Sequence, residues 1–263
     1  MELIEDLDNF TTRFSRWNAN ERLSGYPFVE NVHAPFTPLR RALPMLNLAL
    51  ISSAGAYIDG TDPFDTNSKD GDLNYREIPV EVEAADLRYA AKGYDAAAVH
   101  EDRNAQIPID RLREYAENGV IGGLNNVWWS VSSHIPNAVR VADELAPAIA
   151  ERLARYEIHA ALFIPASRLC HQTLGIIARK VEESGIPTVN ISVDPKSTDA
   201  VRPPRTAYYN GDFGSVAGKP NWREYQLRII DETLRLMETF DQPGSRKLGV
   251  VMESEVEAAR GER

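Results

Sequence analysis

Ile158-His159-Ala160-Ala161-Leu162-Phe163-Ile164 runs into Pro165-Ala166-Ser167-Arg168-Leu169-Cys170, and this stretch decides the fold. The first seven residues read as a continuous apolar strand, the kind that is buried on both faces of a parallel sheet. After the turn, Leu174, Ile177, Ala178 and Val181 recur at helical spacing. Gly185 ends that helix, and Ile186-Pro187-Thr188-Val189-Asn190-Ile191 is the next strand. Strand, helix and strand within about 35 residues make a βαβ unit, which fixes parallel pairing with a right-handed crossover.

Working outward, Val141, Leu145, Ala148, Ile149 and Leu153 mark a helix before this unit, and Leu227, Ile230, Leu234 and Met237 mark one near Trp222 to Phe240. Asn47-Leu48-Ala49-Leu50-Ile51 ends in Ser52-Ser53-Ala54-Gly55, as a buried parallel strand entering a tight loop does. Pro108 and Asn118-Gly119 bracket a helix whose inner face is Leu112, Tyr115 and Ala116. Asp59 to Asp72, rich in Asp, Gly, Asn and Thr, is a solvated loop. Pro27, Pro35, Pro38 and Pro44 make the stretch from Tyr26 an extended strap. The expected architecture is α/β, a three-layer sandwich around a mostly parallel, Rossmann-like sheet. Its divisions are an N-terminal amphipathic helix over 1–26, an α/β domain over 27–243 and a charged, frayed tail over 244–263. In the first of these Leu3, Leu7, Phe10, Phe14 and Trp17 share one face, which packs on the chain's own core or forms an interface between copies. A homo-oligomer is the expectation.

With 29 basic and 39 acidic side chains the formal charge is −10, which repels phosphate backbones and argues against nucleic-acid binding. No stretch reaches the roughly 20 apolar residues that span a bilayer, so no membrane partner is expected. The acidic start Met1-Glu2-Leu3-Ile4-Glu5-Asp6 is unlike a secretory signal. Cys170 is the only cysteine, so no intrachain disulfide and no thiolate-rich metal site can form. A cytoplasmic address is expected.

Ligands of open parallel sheets bind beyond the carboxyl ends of strands, which selects the loops after Ile51, Ile164 and Ile191. Ser52 and Ser53 offer hydroxyl and backbone groups to a substrate carboxylate, though the same loop is equally a tight turn. Cys170, near a helix start, has the dipole and free N–H groups that favour a thiolate; a buried inert thiol is the plainer alternative. His171 follows it and Ser167 precedes it by three. His100-Glu101-Asp102-Arg103-Asn104 either caps a helix or supplies Asp102 and Asn104 to a substrate. Asn125, Asn126, Trp128, Trp129 and His134 form a polar-aromatic cluster in which one Trp is core and the other lines a pocket. Arg205, behind Pro203-Pro204, is stiffly held for a bidentate grip on carboxylate or is a surface arginine beside a turn. His100, Asp102 and His134 match no recognised metal spacing, and no cofactor motif occurs.

Asp102-Arg103-Asn104 with Ile107-Pro108-Ile109-Asp110-Arg111-Leu112, then Gly119-Val120-Ile121-Gly122, resembles a block of the component B proteins of glycine, sarcosine, betaine and D-proline reductases. Pro165 to Thr173, Ile176 to Val189, Pro203-Pro204-Arg205 and Gly214 to Pro220 resemble later blocks of the same family. The resemblance implies reductive cleavage of a carbon–nitrogen bond by a selenocysteine or cysteine paired with a nearby cysteine. It places that pair at Ser167 and Cys170. Serine forms neither disulfide nor selenosulfide, so the two-electron cycle cannot close within this chain.

The expected function is therefore reductase-like action on a small amine- or carboxylate-bearing substrate. Cys170 is its reactive thiol, Ser167 its hydrogen-bond partner, His171 or His134 a proton shuttle, and Arg205 with Asn104 position the substrate. The second thiol comes from an external thiol or a redox partner protein. Two other readings stay open: a non-redox isomerase, lyase or hydrolase on the same scaffold, and a non-catalytic subunit of a multiprotein complex.

Overall fold

The computed structural model describes residues 29–250, together with Thr12. The expected N-terminal amphipathic helix lies outside the described residues. The core is a sheet of eight strands. They are β1 (Asn47–Ser52), β3 (Tyr75–Pro79), β5 (Gly123–Leu124), β6 (Val127–Val131), β7 (Ala160–Ile164), β8 (Thr188–Ser192), β9 (Arg205–Tyr208) and β10 (Gly244–Lys247). β2 (Ala56–Ile58) and β4 (Leu87–Tyr89) form a separate antiparallel pair.

The sheet order is β10-β9-β8-β7-β1-β6-β3, with β5 also pairing β1. Only β3 runs antiparallel to its neighbour. Counting the long parallel strands in chain order, the arrangement is 2-1-3-4-5-6. This is the second common doubly wound order, and it differs from the 3-2-1-4-5-6 of the dinucleotide-binding sheets. After β6 the chain crosses to the other side of β1 to lay down β7. The switch crevice therefore opens between the carboxyl ends of β1 and β7, which pair from Leu48↔Ala160 to Ser52↔Ile164.

Helices cover both faces. The expected helix after His134 is built as Ala138–Arg140, a π-type turn Val141–Leu145, and then Ala146–Arg155. Pro147 has no N–H to donate to the preceding turn, and its ring crowds the carbonyl four residues back, so the ladder widens there. The inner face consequently uses Ala146 and Ala150, while Ala148, expected inside, faces out. With Arg168–Glu183 these segments cover Ile51, Trp129 and Phe163 on one face. Ile109–Glu117 and Arg223–Thr239 cover Leu50, Trp128 and Leu162 on the other. Burying a side chain such as Leu162 or Phe163 completely contributes about 2 kcal/mol.

Trp128 and Trp129 do face opposite sides, but both are closed in, at 2% and 0% exposure. Neither lines a pocket, because helices occupy both faces where they stand. The segment after Gly244, expected to fray, begins instead with the edge strand β10, paired in parallel with β9.

Candidate functional site

At the crevice the two strand ends are tied by side chain as well as backbone. The Ser53 amide donates to the Ile164 carbonyl at 3.4 Å, and the Ala166 amide donates to Ser53 Oγ at 3.1 Å. Ser53 is thus a clamp across the crevice. The neighbouring Ser52 hydroxyl is buried with no hydrogen-bond partner. Gly55 turns the chain away with φ of 66°, and a Cβ there would stand 2.7 Å from the Ala90 carbonyl. Only glycine tolerates both demands.

Cys170 reaches the same crevice from the first turn of helix Arg168–Glu183. Ser167 is the N-cap, its Oγ accepting the Cys170 amide at 3.2 Å. The serine therefore holds the backbone of Cys170 and not its thiol. The sulfur donates to the carbonyls of Ser53 at 3.5 Å and Ser133 at 3.3 Å, bridging the ends of β1 and β6. Its residue is only 1% exposed.

Residues 90–95, a stretch that sequence reasoning did not single out, form the roof. Ser133 Oγ donates to the Ala90 carbonyl at 2.6 Å and accepts the Lys92 amide at 3.0 Å. A Cβ on Gly93 would stand 3.3 Å from Ser167 Cβ, and Tyr94 Oη donates to the Ala54 carbonyl at 2.6 Å. Burial, with the neighbouring Cys170 adding to it, drives the Tyr94 phenol upward, so it stays protonated and holds that bond. Tyr89 Oη is buried with no partner, and burial pushes its phenol up to about 12. The sequence signal for this roof is weak. Lys92-Gly93-Tyr94 looks like any polar loop, and it lies some 80 positions from Cys170 in the chain.

The other candidates sit elsewhere. His171 turns away from the thiol: Val193 N–H donates to its Nε2 at 3.3 Å, which places the ring proton on Nδ1, against the Ser167 carbonyl at 2.7 Å. Burial lowers this imidazole to about 4, so it is a neutral strut between helix and β8 with both nitrogens engaged. His134 follows Ser133 directly. Burial first, and the charge of Lys92 second, lower its pKa, and no hydrogen bond joins it to the sulfur.

Asp102 and Asn104 belong to a closed polar knot. Asp102 accepts from Asn104 N–H, Asn221 N–H and Gln226 Nε2, the last at 2.7 Å. Burial opposes its ionisation, yet these bonds outweigh it and keep the carboxyl below its ordinary range. Asn104 in turn donates to Asp110, which also holds Arg103 at 2.7 Å. Asp102 thus docks this segment to helix Arg223–Thr239 through Gln226, and Asn104 is spent within the segment on Asp102 and Asp110.

Arg205 is the clearest departure. It begins β9, at the opposite end of the sheet, and its guanidinium pairs with Glu182 at 2.7 Å with both side chains fully buried. It also donates to the Thr37 carbonyl at 2.6 Å and stacks over Phe36 at 4.1 Å. The guanidinium is held, but by a carboxylate from within the chain, which already fills the grip. So Ser52, Ser53, Ser167 and Cys170 gather at the crevice, whereas His171, Asp102, Asn104 and Arg205 do not reach it. Among the described residues no three His, Cys, Asp or Glu side chains are gathered as a metal would need, and no helix is long and apolar enough to cross a membrane.

Residues 26–166 match the family described as glycine/sarcosine/betaine reductase selenoprotein B (GRDB). The chain belongs to this family. It is 29% identical to the D-proline reductase subunit gamma of Acetoanaerobium sticklandii over 209 residues, 80% of this chain and 85% of that one. It is 28% identical to the glycine reductase complex component B subunit gamma of Symbiobacterium thermophilum over 63% of this chain and 39% of that one. A sarcosine reductase complex component B subunit beta of Peptoclostridium acidaminophilum is 23% identical over 68% of this chain and 41% of its own length. No solved structure matches. The chain thus spans most of the proline-reductase relative and less than half of the glycine- and sarcosine-reductase ones. The GRDB match takes in β1, β6, β7 and the 90–95 roof and stops at Ala166, one residue before the N-cap serine.

Proposed function

We propose that this chain is a subunit of a reductase-type multiprotein assembly, acting on a small amine- or carboxylate-bearing substrate through Cys170. The relatives carry names of subunits and complex components, which supports an assembly. The observation that carries the chemistry is the position of Cys170, in the first helical turn beyond β7, at the switch crevice of the sheet. Cleavage of a carbon–nitrogen bond to C–H and N–H takes two electrons and two protons. A thiol pair supplies both as it becomes a disulfide. With one cysteine here, that disulfide joins Cys170 to a thiol of another protein or of an external dithiol, and a second dithiol reduces it again.

One observation favours a second reading, a non-catalytic subunit: Cys170 is 1% exposed and its thiol spends its proton on two carbonyls. Turnover requires the 90–95 roof to move aside. The two readings part on the Cys170→Ser variant, assayed with added dithiol against a panel of small amino acids and amines. The first predicts loss of dithiol-dependent turnover with the folded state retained. Full turnover in the variant removes the thiol from the mechanism, and absence of turnover in wild type and variant alike leaves the second reading.

A further inference from the structure

The extended strap over residues 29–44 does more than connect. At the amino-terminal ends of β1, β7 and β8, away from Cys170, it walls a cavity of about 530 Å³ lined by Phe36, Pro38, Leu39, Arg40, Arg41 and His159, among others. Its floor is apolar, with Leu46, Ile158 and Pro187. The volume falls within the range of small-molecule sites.

The strap is fixed in place. Thr37 N–H donates to Glu182 Oε1 at 2.6 Å, Thr37 Oγ1 donates to the Glu182 carbonyl at 2.8 Å, and Arg205 grips the Thr37 carbonyl. The buried Arg205–Glu182 pair is therefore the anchor of this wall, and Pro35, Pro38 and Pro44 stiffen what hangs from it. The next two side chains, Arg40 and Arg41, are exposed, and among the described residues neither has a carboxylate partner. Most described arginines are paired with a carboxylate, as Arg88, Arg140 and Arg168 are; these two are not. Glu182, the carboxylate behind the wall, is taken up by Arg205, Thr37 and Thr188 and gives the two arginines no partner.

His159 adds a third donor. Its Nδ1 accepts the Asn47 amide at 3.0 Å, which leaves the proton on Nε2, a group with no partner among the described residues. Two forked cations and an N–H over an apolar floor, on a wall held rigid before any ligand arrives, match one chemical class. We propose that this cavity binds an organic anion, a carboxylate or phosphate carried on a small apolar body. The site is separate from the crevice and does not depend on the reading of Cys170.

Calorimetric titration of the full chain with phenyl phosphate, inorganic phosphate and benzyl alcohol tests it. Phenyl phosphate is expected to saturate one site, more tightly than inorganic phosphate, with affinity falling as salt rises; benzyl alcohol is expected not to compete. Replacing both arginines with alanine (R40A/R41A) should weaken phenyl phosphate at least about tenfold, equivalent to about 1.4 kcal/mol, and R40K/R41K should fall between. Both side chains are exposed, so an unchanged melting midpoint certifies the variants as folded. Equal affinity in wild type and R40A/R41A overturns the proposal. So does the absence of saturable binding at millimolar phenyl phosphate, including the case in which the arginines prove to hold an acidic protein instead.

Discussion

His171 offers the sharpest quantitative test of how the crevice is built. Its ring is 1% exposed, and burial lowers it from an ordinary 6.5 to about 4. Between those values the unfolded chain binds a proton that the folded chain refuses. The stability it contributes is thus complete above about pH 6.5 and is lost as pH falls toward 4. Linkage puts the loss at about 1.4 kcal/mol by pH 5.5 and about 2.5 kcal/mol by pH 4.5. His171→Asn keeps a neutral donor near the Ser167 carbonyl and removes the titration. Near pH 7.5 the variant should be about 1–3 kcal/mol less stable, because it loses the acceptor for Val193 N–H and the edge contact with Phe213. Urea unfolding at a series of pH values should show that gap closing on acidification, by about 2.5 kcal/mol at pH 4.5. Carboxylates such as Asp102 and Asp110, held low in the fold, lose stability over part of the same range, but in both proteins alike, so the difference isolates the imidazole and its coupling to Asp194. A gap that stays constant with pH would show that His171 takes up its proton in the folded state and would refute the neutral-strut assignment.

Two further substitutions test the two ends of the sheet. Arg205→Met should cost about 3–5 kcal/mol, because it strands the buried Glu182 carboxylate; adding Glu182→Gln should recover part of this, and full stability in the single variant would show the pair to be dispensable. Gly55→Ala should cost more than about 1 kcal/mol through its φ of 66° and the 2.7 Å approach to Ala90 O. It should also raise the rate at which iodoacetamide labels Cys170, since Ala90 anchors the roof; unaltered labelling would mean that residues 90–95 do not gate the sulfur.

The parallel sheet was legible because its signals are local. β7 is an unbroken apolar run and β1 nearly one, and the helix between β7 and β8 carries its own punctuation, Ser167 at its start and Gly185 past its end. The handedness rule then left little choice of topology. Strand order was not local information. Whether β7 lies beside β6 or beside β1 depends on which side of the sheet each crossover helix covers, and no single segment encodes that. The π-type turn at Val141–Leu145 escaped for a related reason: Val141, Leu145, Ile149 and Leu153 face inward with or without it, and Ala148, the one expected inner residue that faces out, looks like Ala146 and Ala150 in composition.

The site was half legible, and the division follows from what each signal measures. A cysteine beyond a buried strand and inside a helix start is defined by three neighbouring elements, so Ser53, Ser167 and Cys170 could be brought together from sequence. Arginine at a stiff turn says only that a guanidinium is held, not which carboxylate holds it. Glu182 lies 23 residues earlier at the end of a helix, and the partner strap at Thr37 lies 168 residues away. The same long-range pairing that removed Arg205 from the substrate site fixed the wall that presents Arg40 and Arg41. A buried ion pair contributes little net stability against an apolar replacement. Its place here is accounted for by what it positions: break it, and the strap loses the anchor that holds two arginines, without a carboxylate partner among the described residues, over an apolar floor.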